Sequence, residues 1–175
     1  MDRMMTRFRQ MDDSLFYRIN GSRQLFRSFF GYVTHLGGAR ATVSAMLCLF
    51  IFSQYFTSIQ KTVVVAMISL TFSHILMAMI KRMVRRIRPY IKLPDAILHG
   101  YEFKDHSFPS GHSTAIFSVT IPFMVHFPAS MLILFIMSSL VGYSRVVLGV
   151  HYPSDVVAGA FLACVTTLSV MWFML

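Results

Sequence analysis

Charge is scarce in this chain: Asp, Glu, Lys and Arg make up 13% of 175 residues, and acids are the rarer sign, seven against 16 basic side chains. So few carboxylates provide little of the clustering that a Mg²⁺ site needs. Cysteine is nearly absent. Cys48 and Cys164 both fall inside apolar runs, where neither a disulfide nor a metal site is expected, so they do not report on redox compartment. No secretory signal is visible, because the N-terminus is polar and charged and the first strong apolar run begins near residue 41. The apolar runs show no period-two alternation, which argues against a β-barrel.

What is present is hydrophobic: 55% of the residues, with a mean hydropathy of +0.61, gathered in runs instead of amphipathic stripes. The chain therefore reads as an integral membrane protein, all-α, a single bundle over 1–175 with no room for a soluble domain. Five runs, 41–59, 62–80, 111–127, 129–148 and 154–175, approach the ~20 residues that cross the hydrocarbon, and they define a transmembrane core over 41–175. Residues 1–40 form an interfacial segment before it. Residues 1–13 are polar and mixed in charge, a surface segment or a short helix. From Ser14 to Leu36, Leu25, Phe26, Phe29, Phe30, Val33 and Leu36 recur at helical spacing beside Arg18, Arg23 and Arg27. That is the pattern of an amphipathic helix lying in the membrane interface, with Asn20-Gly21 as a break before it. Gly37-Gly38 marks the turn into the first span, and Ala158-Gly159-Ala160 is a small-residue patch that lets helices approach closely.

Three polar stretches interrupt the apolar runs. Lys81-Arg-Met-Val-Arg-Arg-Ile-Arg88-Pro89 ends the second span. Lys81 and Arg88, nearly two turns apart, share a helix face if the helix runs on to Pro89, with Arg85 beside them. Arg82 and Arg86 then point elsewhere, toward lipid headgroups. Taken alone, a basic run here is an ordinary topology signal. Phe108-Pro109-Ser110-Gly111-His112 opens the third span, where the N–H groups of a helix N-terminus attract phosphate. Ser144-Arg145 and His151-Tyr-Pro-Ser-Asp155 join the fourth span to the fifth. Pro153 fits the first turn of a helix, so Asp155 sits one turn beyond His151 and can orient its ring, leaving the other nitrogen as nucleophile or base. The bland alternative is a polar turn between membrane helices. The connector 90–108 carries Asp95, Glu102, Asp105, His99 and His106 in no recognisable metal spacing, and reads as the solvated rim of a pocket. His35, His74 and His126 are given no chemical role.

Alternation of the spans brings the three stretches to one side of the membrane, and three cations, two histidines, a carboxylate and a helix N-terminus converging there are costly unless they bind an anion. Lys81-x6-Arg88-Pro89, Pro109-Ser110-Gly111-His112 and Ser144-Arg145-x5-His151-x3-Asp155 resemble the three signature motifs of the type 2 phosphatidic acid phosphatase superfamily, complete and in order. Asp12 to Asn20 also resembles the segment before the first core helix of bacterial members, many of which have six spans where this chain shows five. The resemblance implies that His151, oriented by Asp155, attacks phosphorus to form a phosphohistidine. It implies that His112 protonates the departing oxygen and then activates water, while Lys81, Arg88, Arg145 and the amides around Ser110 and Gly111 hold the phosphoryl oxygens. No metal or other cofactor is implied.

A site at the interface, walled by apolar helices and edged by Phe103 and Phe108, suits a phosphate on a lipid: phosphatidic acid, phosphatidylglycerophosphate or undecaprenyl diphosphate. Transfer of the phosphoryl group to an alcohol and binding without catalysis stay open as alternatives, as does oligomeric state; no nucleic-acid partner is expected. Seven of the 16 basic residues precede residue 41, seven lie between 81 and 104, and Arg145 makes fifteen on the active face against Lys61 opposite. The positive-inside rule then places this face of a multi-pass cell-membrane protein in the cytoplasm, whereas the resemblance to bacterial members points for many of them to the outer leaflet.

Overall fold

The computed structural model describes residues 2–21 and 24–174; Arg23, one of the expected interfacial cations, lies outside them. Among the described residues eight α-helices follow in order: α1 Asp2–Asn20, α2 Gln24–Val33, α3 Ala39–Ser53, α4 Thr57–Val84, α5 Pro89–Lys92, α6 Gly111–His126, α7 Met131–Val147 and α8 Pro153–Met174. Among the described residues, three stretches are long and apolar enough to cross a membrane: Thr57–Lys92, Pro128–Val147 and Pro153–Met174. A fourth crossing needs two helices. Leu25–Gly37 and Ala39–Ser53 qualify only together, bent by 47° at Gly38. The helix expected in the interface is thus joined to the first expected span. α1 ends at the anticipated Asn20-Gly21 break, and α2 is one arm of the bent pair.

The expected third span is α6, with 16 residues. It is the central helix, packed against α3, α4, α7 and α8. Packed against four helices, it buries the hydroxyls of Ser113, Thr114, Ser118 and Thr120 among its apolar residues. Ser118 donates to Ser73 of α4 at 2.8 Å, and Thr120 pairs with Ser138 of α7 at 2.9 Å; hydroxyl pairs of this kind join helices where hydrophobic driving force is missing. Pro122 is accommodated inside it. The small-residue patch of α8 acts as expected, since a Cβ on Gly159 would stand 2.6 Å from the Ser110 carbonyl oxygen and 3.1 Å from Thr114 Oγ1. The outer faces of α7 and α8 expose Leu132, Ile133, Phe135, Phe161, Leu168 and Trp172, the surface a helix bundle presents to lipid.

α1 lies across the end of the bundle where the polar stretches meet. Its buried residues Asp12, Phe16 and Asn20 recur every fourth position and so form one face. Phe16 packs with Val146 and Tyr152, its ring 5.8 Å from that of Tyr152.

Candidate active site

α4 does not run on to Pro89. It stops at Val84 because Arg85 takes a left-handed conformation (φ 49°) as its C-cap, donating its N–H to the Lys81 carbonyl at 3.1 Å. The following residues are extended, Arg88 having ψ 149° as the residue before a proline does. This reverses two expectations drawn from helical geometry. Arg85 turns outward, with its Nε donating to the Arg82 carbonyl. Arg86, expected to face lipid headgroups, turns inward and donates to Asp155 Oδ1 at 2.7 Å, Ser154 Oγ at 2.7 Å and Asp12 Oδ2 at 2.6 Å. Its guanidinium lies 3.8 Å from the centroid of the Tyr152 ring.

Lys81 and Arg88 converge all the same, through the chain reversal. Arg88 is 2% exposed. Its Nε donates to the Asp105 carbonyl at 2.9 Å and its Nη1 to the Val150 carbonyl at 2.8 Å, two backbone clamps that fix the guanidinium. The remaining donors of Arg88 and the Lys81 ammonium both meet the Asp105 carboxylate. Burial alone would raise the Asp105 pKa, but hydrogen bonds and charge from Lys81 and Arg88 outweigh it and lower it to about 2. The rim connector therefore sends one acid into the site, and Phe103 lies against the guanidinium groups of Arg88 and Arg145, at 4.7 and 5.3 Å.

Arg145, near the end of α7 and 3% exposed, donates from Nη1 to Thr34 Oγ1 at 2.7 Å. Its Nε is buried with no hydrogen-bond partner among the described residues. A buried guanidinium with no ion-pair partner among the described residues is an arrangement that an incoming anion relieves.

His151 sits in the α7–α8 turn. Gly149 makes the turn with φ 80°, and a Cβ there would stand 2.3 Å from the Ile97 carbonyl oxygen and 3.2 Å from Asn20 Nδ2. Asn20 itself donates to the carbonyls of Ile97 and Val147 and accepts from the Ile97 N–H, tying α1 and the connector to this turn. The imidazole faces two ways. Arg88 Nη1 stands 3.4 Å from Nε2; an arginine can only donate, so Nε2 carries a lone pair and Nδ1 the proton. Nδ1 faces Asp155 Oδ2 at 3.5 Å, longer than a hydrogen bond, and is buried with no hydrogen-bond partner among the described residues. Burial, then the Arg145, Arg88 and Lys81 charges, push the His151 pKa well below its ordinary value, so the ring is neutral near pH 7. Asp155 is wholly buried and accepts the Tyr152 N–H at 2.9 Å besides its bond from Arg86.

Ser110 caps α6 inside the protein. Its hydroxyl accepts from Ser113 N–H, and its own N–H donates to the Asp155 carbonyl at 3.0 Å. The Ser110 amide is thus engaged in joining α6 to α8 instead of facing an anion. The first-turn N–H groups of Gly111 and His112 carry no hydrogen bond among the described residues, as the open donors of a helix N-terminus do. His112 lies within the field of Arg145, His151, Lys81 and Arg88. Gly37 packs directly against it, a Cβ there falling 3.1 Å from the His112 carbonyl oxygen and 3.3 Å from His112 Cβ. Away from the site, His74 bonds the Leu70 carbonyl of its own helix and His126 packs on Phe127.

A family model described as the PAP2 superfamily matches residues 62–175. Among curated relatives, a lipid A 1-phosphatase of Rhizobium johnstonii is 34% identical over 110 residues, 60% of this chain and 45% of that protein. An undecaprenyl-diphosphatase of Sulfolobus acidocaldarius is 32% identical over 108 residues, 61% of this chain and 52% of the relative. The chain thus spans about half the length of these relatives. The crystal structure of Aquifex aeolicus LpxE superposes with a TM-score of 0.78 at 28% identity, covering 91% of this chain and 93% of that one.

Proposed function

The chain belongs to the PAP2 superfamily, and from that premise we propose that it is a lipid phosphate phosphatase working through a phosphohistidine. The observation that carries this reading is the two-faced His151, with a lone pair on Nε2 toward a cluster of buried cations and a carboxylate behind Nδ1.

In this mechanism a lipid phosphate replaces the Asp105 carboxylate on Lys81 and Arg88 and takes up the Arg145 guanidinium and the open amides of Gly111 and His112. His151 Nε2 attacks phosphorus. The N–P bond forms as the P–O bond to the lipid breaks, and His112 gives its proton to the departing oxygen. His112 then takes a proton from water, whose oxygen attacks phosphorus; the N–P bond breaks and inorganic phosphate leaves. Asp155 stabilises the positive charge that His151 acquires. Three cations and two amides supply the charge compensation a metal would otherwise give, so no metal ion takes part in any step.

The substrate is a membrane lipid bearing a terminal phosphate or diphosphate. Phosphatidic acid, phosphatidylglycerophosphate and undecaprenyl diphosphate share that chemistry, and relatives named for lipid A 1-phosphate and undecaprenyl diphosphate support it. The basic bias of the active face supports a site on the cytoplasmic side of the cell membrane. The test is phosphate release by the detergent-purified protein, offered the three lipids with chelator present and His151→Ala as control. Release that survives chelation and vanishes in the variant is expected; no release from any lipid, or release unaffected by the substitution, refutes the reading.

A further inference from the structure

Resting on the phosphohistidine reading, we infer that α1 is part of the catalytic apparatus, with Asp12 a positioning residue that keeps Asp155 available to His151. The family match begins only at residue 62, fifty positions later in the chain, so Asp12 belongs to none of the three motifs.

The geometry is a chain of buried charges. Asp155 Oδ1 receives Arg86 Nη1 at 2.7 Å, while Arg86 Nη2 is given to Asp12 Oδ2 at 2.6 Å. Asp12, 4% exposed, also accepts the Ser154 N–H at 3.0 Å and the Ser154 hydroxyl. Ser154 lies in the first turn of α8, next to Asp155. Asp12 therefore does two things from a distant helix: it satisfies an otherwise open amide of α8, and it places a second negative charge on Arg86.

The second effect bears on chemistry. One guanidinium facing one buried carboxylate is a neutral pair, with little field left for a neighbouring imidazole. A guanidinium shared by two carboxylates leaves the set with a net negative charge, and Asp155 Oδ2 is the part of it nearest His151 Nδ1, at 3.5 Å. As His151 attacks, it turns from neutral to positive, and in a low-dielectric surrounding that charge is stabilised by the field the Asp12 charge preserves. The same helix holds the turn itself: Phe16 packs on Tyr152, the residue after His151, and Asn20 bonds the Val147 carbonyl before Gly149. Charge and position are thus supplied from one helix face.

Asn at position 12 keeps an acceptor for Ser154 N–H but withdraws the charge from Arg86. In rapid-quench experiments with phosphatidic acid, Asp12→Asn is expected to slow acid-labile phosphoenzyme formation by about 10- to 100-fold, the loss of one charge-assisted hydrogen bond. KM should stay near wild type, any fall in the thermal midpoint should leave the protein folded at the assay temperature, and Asp12→Glu should recover part of the rate. Phosphoenzyme formation in Asp12→Asn equal to wild type would overturn the inference, as would a loss that tracks only the folded fraction or appears in KM with kcat intact. Wild-type protein that releases phosphate without forming a histidine-bound phosphate would instead remove the phosphohistidine reading, and this inference with it.

Discussion

At the scale of single residues, Asp105 is the group with the clearest consequence. Its carboxylate occupies the donors of Lys81 and Arg88 that the proposed mechanism gives to phosphate, so substrate must displace it. Arg88 keeps its place without it, because the Asp105 and Val150 carbonyls hold the guanidinium. Asp105→Asn should therefore strengthen competitive inhibition by inorganic phosphate or vanadate, by about tenfold or more because the charged bonds to Lys81 and Arg88 are both weakened; an unchanged inhibition constant would count against displacement. The pKa of about 2 gives a second expectation. A depressed carboxylate stabilises the fold fully above its unfolded value of about 3.9 and loses that contribution as pH falls through about 2. Acid titration followed by circular dichroism should show Asp105→Asn losing less stability between those values than the wild type. Asp105 was not legible in the sequence as a site residue. It stands 24 positions from Lys81 in a connector of ordinary polar composition, and only the path of the chain brings it there.

At the scale of elements, two glycines set the spacing on which the site depends. Gly149 holds a positive φ against the Ile97 carbonyl, and any side chain there meets both strain and a backbone atom that cannot swing away. Gly149→Ala is expected to destabilise by about 1–3 kcal/mol and to lower kcat by displacing His151; a variant with wild-type melting and turnover would contradict this. Gly159→Val should separate α8 from α6 and cost about 1–3 kcal/mol by overpacking, read in the thermal midpoint in detergent. The apolar runs and the helix starts at Gly111 and Pro153 were legible because composition and turn residues encode them locally. The end of α4 was not. A left-handed cap is ordinarily glycine, and Arg85 gives no such signal. Extending the helix past it sent Arg85 inward and Arg86 outward, the reverse of what is observed.

For the whole molecule, α4 and α7 run toward the active end, while α6 and α8 start there and run away from it. Met174 is consequently at the opposite end from His151. With the basic side cytoplasmic, a reporter fused after Leu175 should be active outside the cell and silent within it; activity confined to the cytoplasm would invert the orientation and favour substrates presented at the outer leaflet. The three motifs were legible as parts of one site because alternating spans place them together. The contribution of α1 was not, since a polar N-terminal segment of mixed charge looks the same whether it lies on a membrane or closes a bundle.

The bonds among Asp12, Arg86 and Ser154 should also constrain how these positions change in descent. Three positions scattered from the first helix to the last share one guanidinium and one amide, so a change at any of them leaves the other two with unmet charge or hydrogen-bonding capacity. Lineages of this protein should exchange these residues together, and a descendant that lost the acid at position 12 should carry a compensating replacement at position 86 or 154.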